Sequence, residues 1–102
     1  MERVVLFLMS EKGYNVLQSI VLNLSTDRID YIVIGRDKNV ENDFYEDIKS
    51  LAEKEKIKVV DRSSNYKIDS RYAMAISWRW MINLNNSKTR LIVLHDSLLP
   101  RY

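Results

Sequence analysis

Val4-Val5-Leu6-Phe7-Leu8-Met9 ("VVLFLM", residues 4–9) decides the fold. Six apolar residues run without a polar break, and two are β-branched and one aromatic. A strand with one wet face alternates apolar and polar; a strand covered on both faces reads as a continuous apolar run. The stretch therefore predicts a central, parallel-type strand. It is also the longest apolar run in the chain, far short of the ~20 residues of a membrane span, and it lacks the cleavage site of a secretory signal.

Working outward, Ser10-Glu11-Lys12-Gly13 breaks the run, and the period then changes. Leu17, Ile20, Val21 and Leu24 fall at i, i+3, i+4 and i+7, one stripe of a helix over residues 14–24. Tyr31-Ile32-Val33-Ile34-Gly35 predicts a second doubly buried strand. A helix from about Asn42 to Lys56 follows, with Asp43 and Glu46 spaced as a capping pair and Phe44, Ile48, Leu51 and Ala52 as its buried stripe. Ile57 to Val60 reads as a short edge strand, Tyr72 to Ser77 as a fourth strand and Leu91 to Leu94 as a fifth. The polar stretch from Asp61 to Arg71 predicts a turn or single helical turn, and Trp78 to Ser87 a connection with room for one short helix.

The sum is an α/β chain with an open, mostly parallel Rossmann-like sheet, strand order 3-2-1-4-5. Right-handed crossovers place its two helices on the same face. The second face is then expected to be incompletely covered, by a partner copy or by a further segment.

Composition bounds the chemistry. The 102 residues suit one domain, with 46% hydrophobic and 29% charged residues, as in ordinary globular chains. A formal charge of +2 without basic runs gives no footprint for nucleic acid. With no cysteine and one histidine, thiolate metal sites, disulfides, cysteine nucleophiles and HExxH-type metal sites are excluded, and no metal site is expected. No GxGxxG or Walker loop follows the first strand, and no GxSxG elbow occurs. A soluble, cytoplasmic protein is expected.

Three stretches fall where open α/β sheets bind ligands, beyond the carboxyl ends of strands. Ser10 to Gly13 reads as a plain turn, with Lys12 as an optional anion contact. Ser77-Trp78-Arg79-Trp80 is more pointed. In an extended chain the two tryptophans share a face opposite Arg79, either walling a flat heterocycle or guanidinium or packing as large rings on the under-covered sheet face. His95 follows the fifth strand and precedes Leu98-Leu99-Pro100, whose proline stiffens the loop and leaves Leu99 extended.

His95-Asp96-Ser97-Leu98-Leu99-Pro100-Arg101-Tyr102 resembles the His-x-Ser-Leu-Leu-Pro signature of the formyltransferase family, which includes methionyl-tRNA, phosphoribosylglycinamide and amino-sugar formyltransferases. Ile76 to Ile82 ("ISWRWMI") looks like that family's folate-pocket segment. The resemblance implies transfer of a formyl group from 10-formyltetrahydrofolate to an amine on a sugar nucleotide, an aminoacyl-tRNA or another small molecule. It implies His95 as the catalytic donor to the oxyanion. Ser97, Leu98, Leu99 and Pro100 carry over as the loop around the tetrahydrofolate ring, and Trp80 and Ile82 as further cofactor contacts.

Two departures stand out. The family's oxyanion asparagine, two residues before the histidine, is Val93 here, and Asn83, Asn85 and Asn86 are the nearby amides. The family's later aspartate has no counterpart in residues 1–102. The reading therefore expects an amino-terminal portion of a single longer domain with little or no turnover. The rival expectation is a non-catalytic α/β binding or assembly module, able to self-associate, that retains a folate-like pocket. A flavodoxin-like or receiver-like domain is a third and weaker alternative.

Overall fold

The computed structural model describes residues 2–84, 86 and 88–94. The element order is β1 (Val4–Leu8), α1 (Ser10–Asn23), β2 (Ile29–Ile34), α2 (Tyr45–Lys54), β3 (Val59–Asp61), β4 (Tyr72–Ile76) and β5 (Arg90–Leu94). All neighbouring strands are parallel, and the sheet order is β3-β2-β1-β4-β5, as expected. β1 is central, and Val5 to Leu8 are at most 2% exposed. A continuous apolar run is what such a position requires, because side chains alternate between two covered faces.

The two faces are built differently. Leu6 and Leu8 join Leu17 of α1, Ile32 and Ile34 of β2, and Ile48 and Ala52 of α2 in one cluster. Both helices thus lie on one side, as right-handed crossovers in one direction demand. On the other side Val5, Phe7 and Met9 join Tyr31, Val33, Ala73 and Ala75. Among the described residues no helix covers this second face. Two irregular segments, residues 62–70 and 78–84, lay Tyr66, Ile68, Trp78, Trp80, Ile82 and Leu84 across it.

The first segment holds the expected turn, with the Ser64 N–H donating to the Asp61 carbonyl at 2.9 Å, and neither is helical: large rings do the covering. Phe7 meets Tyr66 at 6.2 Å and Trp78 at 5.3 Å, both edge to face. Tyr31 meets Tyr66 at 6.1 Å, and its hydroxyl donates to the Lys67 carbonyl at 2.6 Å. Edge-to-face pairs add about 0.5–1.5 kcal/mol beyond area burial, so the cover is held by ring geometry as well as by burial. Cover remains thin at the β5 edge, where Ile92, Val93 and Leu94 are 36–45% exposed.

Several boundaries differ from the sequence reading for local reasons. α1 starts at Ser10, not at Tyr14, because Ser10 adopts a left-handed conformation (φ 65°) and turns the chain directly out of β1 into the helix. Ser10 to Gly13 is accordingly helix, not a loop. α2 starts at Tyr45, after Phe44 takes φ 61°. The Asp43–Glu46 capping pair does not form. Asp43 Oδ1 accepts from the Tyr45 N–H at 3.0 Å and Oδ2 from the Asp37 N–H at 3.0 Å, while Glu46 is drawn away to Arg36. β3 starts two residues late, because Ile57 turns inward as a buried plug and its N–H donates to the Ala52 carbonyl.

At the amino edge a register shift between Val4 and Val5 skips Asp30 of β2. The freed carboxylate accepts from Arg3 Nε at 3.0 Å and from the Ser70 hydroxyl, tying β2 to the approach to β4. Thr89 donates to the Ser70 carbonyl at 2.6 Å, and Asn86 Nδ2 to the Ile68 carbonyl at 2.8 Å.

Gly13 tests the α1–β1 packing. A Cβ there would lie 3.1 Å from Leu8 Cβ, 3.2 Å from its carbonyl carbon and 3.3 Å from its Cα. The obstacle is a central strand that cannot yield. Helix propensity alone favours alanine by about 1 kcal/mol, whereas overpacking costs about 1–3 kcal/mol. Gly13→Ala is expected to lower the urea midpoint; a raised midpoint would mean that α1 rides more loosely on β1.

Candidate functional site: the carboxyl-edge cleft

Chain segments leaving β2, β3 and β4 meet beyond the carboxyl edge and enclose a cleft of about 450 Å³. Arg36, Asp37, Lys38 and Asn39 follow β2, Asp61, Arg62 and Ser63 end β3, and Arg79 and Trp80 follow β4. The volume lies within the range of small-molecule sites, about 300–1,000 Å³. Four cations and two carboxylates line it.

The cleft rests on a stack. Gly35 closes β2, and Trp80 crosses directly over it: a Cβ at Gly35 would lie 2.7 Å from the Trp80 ring and 3.1 Å from Arg62 Cδ. Only the absent side chain permits this approach. The Arg62 guanidinium lies over the Trp80 ring, 3.9 Å from its centroid, and the Arg62 N–H donates to the Ile34 carbonyl at 2.8 Å. Beneath, Trp80 packs edge to face on Trp78 at 5.2 Å. The two tryptophans share the second face, and Arg79 reaches away from them to Asp37. Trp80 therefore serves both readings of this segment at once, as sheet cover and as the platform of a guanidinium.

The other charges are largely paired. Arg79 Nη2 meets Asp37 Oδ2 at 3.1 Å; this carboxylate is 5% exposed, and its Oδ1 accepts from the Asn39 N–H. Arg36 meets Glu46 at 2.6 Å and Asp43 at 3.7 Å, with its guanidinium 3.8 Å from the Tyr45 ring centroid. Asp61 accepts from the Ser63 hydroxyl, the Ser63 N–H and the Tyr45 hydroxyl, the last at 2.6 Å. Hydrogen bonds from Ser63 and then Tyr45 hold the Asp61 carboxyl below its ordinary 3.8 against the opposing effect of burial. Burial and the bond to Asp61 push the Tyr45 phenol up to about 12. Both groups keep their neutral-pH forms throughout the physiological range.

Strain collects along the same edge. Ser10 and Ser77, at the ends of the adjacent strands β1 and β4, are both left-handed, with φ 65° and 56°. Such non-glycine residues cost on the order of 1–2 kcal/mol each and gather at functional edges.

Of the residues singled out from sequence, Trp80 lines the cleft, and Ile82 packs half-buried against the second face. His95, Ser97, Leu98, Leu99 and Pro100 lie outside the described residues. Val93 pairs with Ala75 across β4–β5 and has no hydrogen-bonding side chain. Asn86 is not at the ligand edge: besides bonding the Ile68 carbonyl, its Oδ1 accepts from the Lys88 and Thr89 N–H groups at the entry to β5, at the amino edge. Asn83 is exposed, and Asn85 lies outside the described residues. Sequence reading missed Arg62 and Lys38, which sit in polar loops without periodicity, and Asp61, the last residue of β3. The available signal was Gly35, a glycine closing a buried strand.

Among the described residues, no group of three or more His, Asp or Glu is placed to hold a metal ion, and no helix is long and apolar enough to cross a membrane. Comparison with protein-family models, with curated proteins and with solved structures gives no match.

The lowered carboxyls fix the acid behaviour. Asp61, Asp30 and Asp43 all have folded-state pKa values below the ordinary 3.8. Each contributes stability that is complete above that value and is lost as pH falls through the folded value. Urea melts are expected to change little between about pH 7 and 5 and to weaken below about pH 4. Asp61→Asn is expected to cost about 1–3 kcal/mol at neutral pH and to flatten the acid slope. An unchanged slope would remove Asp61 from this role.

Proposed function

We propose that this chain belongs to a formyltransferase-like domain that passes a formyl group from 10-formyltetrahydrofolate to an amine. The observation that carries the reading is the course of β5. It runs parallel beside β4, pairs Leu94 with Ile76, and ends at the carboxyl edge. The residue next in sequence is His95, the first of His-x-Ser-Leu-Leu-Pro. β5 thus ends at the edge where parallel sheets hold ligands, the edge that also carries Trp80 and the strained Ser10 and Ser77, and the signature follows it in sequence. The order of strands and helices from Val4 onward is compatible with the resemblance.

In this reading the acceptor nitrogen attacks the formyl carbon, and the carbonyl oxygen becomes a tetrahedral oxyanion. The intermediate collapses by breaking the bond from carbon to the folate nitrogen. The amine loses one proton and the folate nitrogen takes one up, leaving a formamide and tetrahydrofolate. His95 in its protonated form donates to the oxyanion. Val93 supplies no second donor, and loss of one such donor lowers rates by about 10²–10³. Slow transfer is the expected behaviour.

Val93 also favours a second reading, an α/β binding module that holds a reduced folate without transferring its formyl group. Thermal melts with and without tetrahydrofolate, paired with an assay of formamide production, separate the two. A folate at about 100 times its Kd adds about 2.7 kcal/mol to stability, so a clear rise in Tm is expected, together with slow transfer that His95→Ala abolishes while leaving the Tm rise intact. A Tm rise without transfer selects the binding module. A folded chain whose Tm saturating folate leaves unmoved contradicts both.

A further inference from the structure

We propose that the cleft beyond β2 and β3 is a binding site for a small phosphate ester, held by Arg62 and Lys38. The site goes beyond the formyl-transfer reading and does not depend on it. β2 is three strand positions from β5 in the sheet, about 14 Å at the usual strand spacing. Arg62 and Lys38 thus follow strands set apart from β5, while Trp80, which follows β4, is common to the cleft and the formyl-transfer reading.

The charges are sorted in a way that leaves two cations available. Each carboxylate of the cleft is occupied by the protein itself: Asp37 by Arg79 and the Asn39 N–H, Asp61 by Ser63 and Tyr45. Arg36 is held by Glu46, Asp43 and the Tyr45 ring. Arg62 makes no direct ion pair among the described residues, its charge reaching Asp61 and Tyr66 only through space, and the Lys38 side chain makes neither an ion pair nor a hydrogen bond among them. Both line the cleft.

Arg62 is also fixed in advance. Its backbone is bonded to Ile34, its stem passes against Gly35, and its guanidinium plane lies on Trp80. An arginine stacked by its flat face keeps its N–H donors in the plane of the fork, free at the edges for a bidentate oxyanion. Free side chains of this type lose rotamer entropy on being ordered; here much of that loss is met by folding. Lys38 adds a second point charge. Two cations match a phosphate dianion better than a single carboxylate. The bounded cleft and the net charge of only +2 favour a small ester over a nucleic acid.

Isothermal titration at low ionic strength tests the site, with inorganic phosphate and adenosine 5′-monophosphate as probes and adenosine as the uncharged control. Saturable one-to-one binding of the phosphate-bearing probes is expected, and none of adenosine. Arg62→Ala is expected to weaken binding tenfold or more. Arg62→Lys is expected to weaken it nearly as much, because the charge remains but the stacked fork is lost. Lys38→Ala should weaken binding severalfold and flatten its salt dependence, whereas Lys54→Ala, at the far end of α2, should change nothing. Absence of heat with either phosphate probe overturns the site. So does adenosine binding as tightly as its phosphate, or an Arg62→Ala, Lys38→Ala double variant that binds as well as the parent.

Discussion

Burial of β1 on both faces is the constraint from which the rest follows. A strand with Val5, Phe7 and Leu8 fully inaccessible needs two different surfaces laid against it, and the described residues provide only two helices, both on one side. The opposite face must then be closed by whatever lies between strands. Phe7 is the hub of that closure, with Tyr66 from the segment after β3 and Trp78 from the segment after β4 set edge-on around it. Removing a buried phenylalanine costs about 3–5 kcal/mol, a large share of the stability of a small domain.

The same closure makes the cleft. Trp78 seats on Phe7, Trp80 seats on Trp78, and the Trp80 ring in turn carries Arg62. Gly35 lets this column pass close to the end of β2. The cationic fork at the sheet edge is therefore anchored to the core through three successive ring contacts. It does not hang from a loose loop, and the orientation of Arg62 is inherited from the packing of the second face.

How much of this was legible in the sequence follows from the kind of residue involved. Val4 to Met9 and Tyr31 to Ile34 announced buried strands because burial on both faces leaves no alternative composition. With helical stripes between the strands, the order β3-β2-β1-β4-β5 followed from the handedness of crossovers. The start of α1 was misplaced because Ser10, an ordinary polar residue, is held left-handed, and nothing in its neighbours encodes that. Glu46 was misassigned because a spacing of three can form a capping box, but Arg36, ten residues away, offers a full charge instead. Trp80 was legible as either a platform or sheet cover, but its partner was not, since Arg62 comes from another loop and meets Trp80 only in the folded chain. Asn86 looked available for chemistry by proximity in sequence, whereas the turn into β5 consumes its side chain at the opposite edge.

The central claim is that β1 is locked by two covers of unlike construction that open only together. Native-state amide exchange, read at the N–H groups of Leu6, Phe7 and Leu8, tests it most directly. The account expects these amides to exchange only through global unfolding, with the free energy given by urea denaturation, while amides of the exposed edge strand β5 exchange more easily. Exchange of the β1 amides through a cheaper opening that leaves α1 protected would contradict it, because the ring-built cover would then be no structural equal of the helical one.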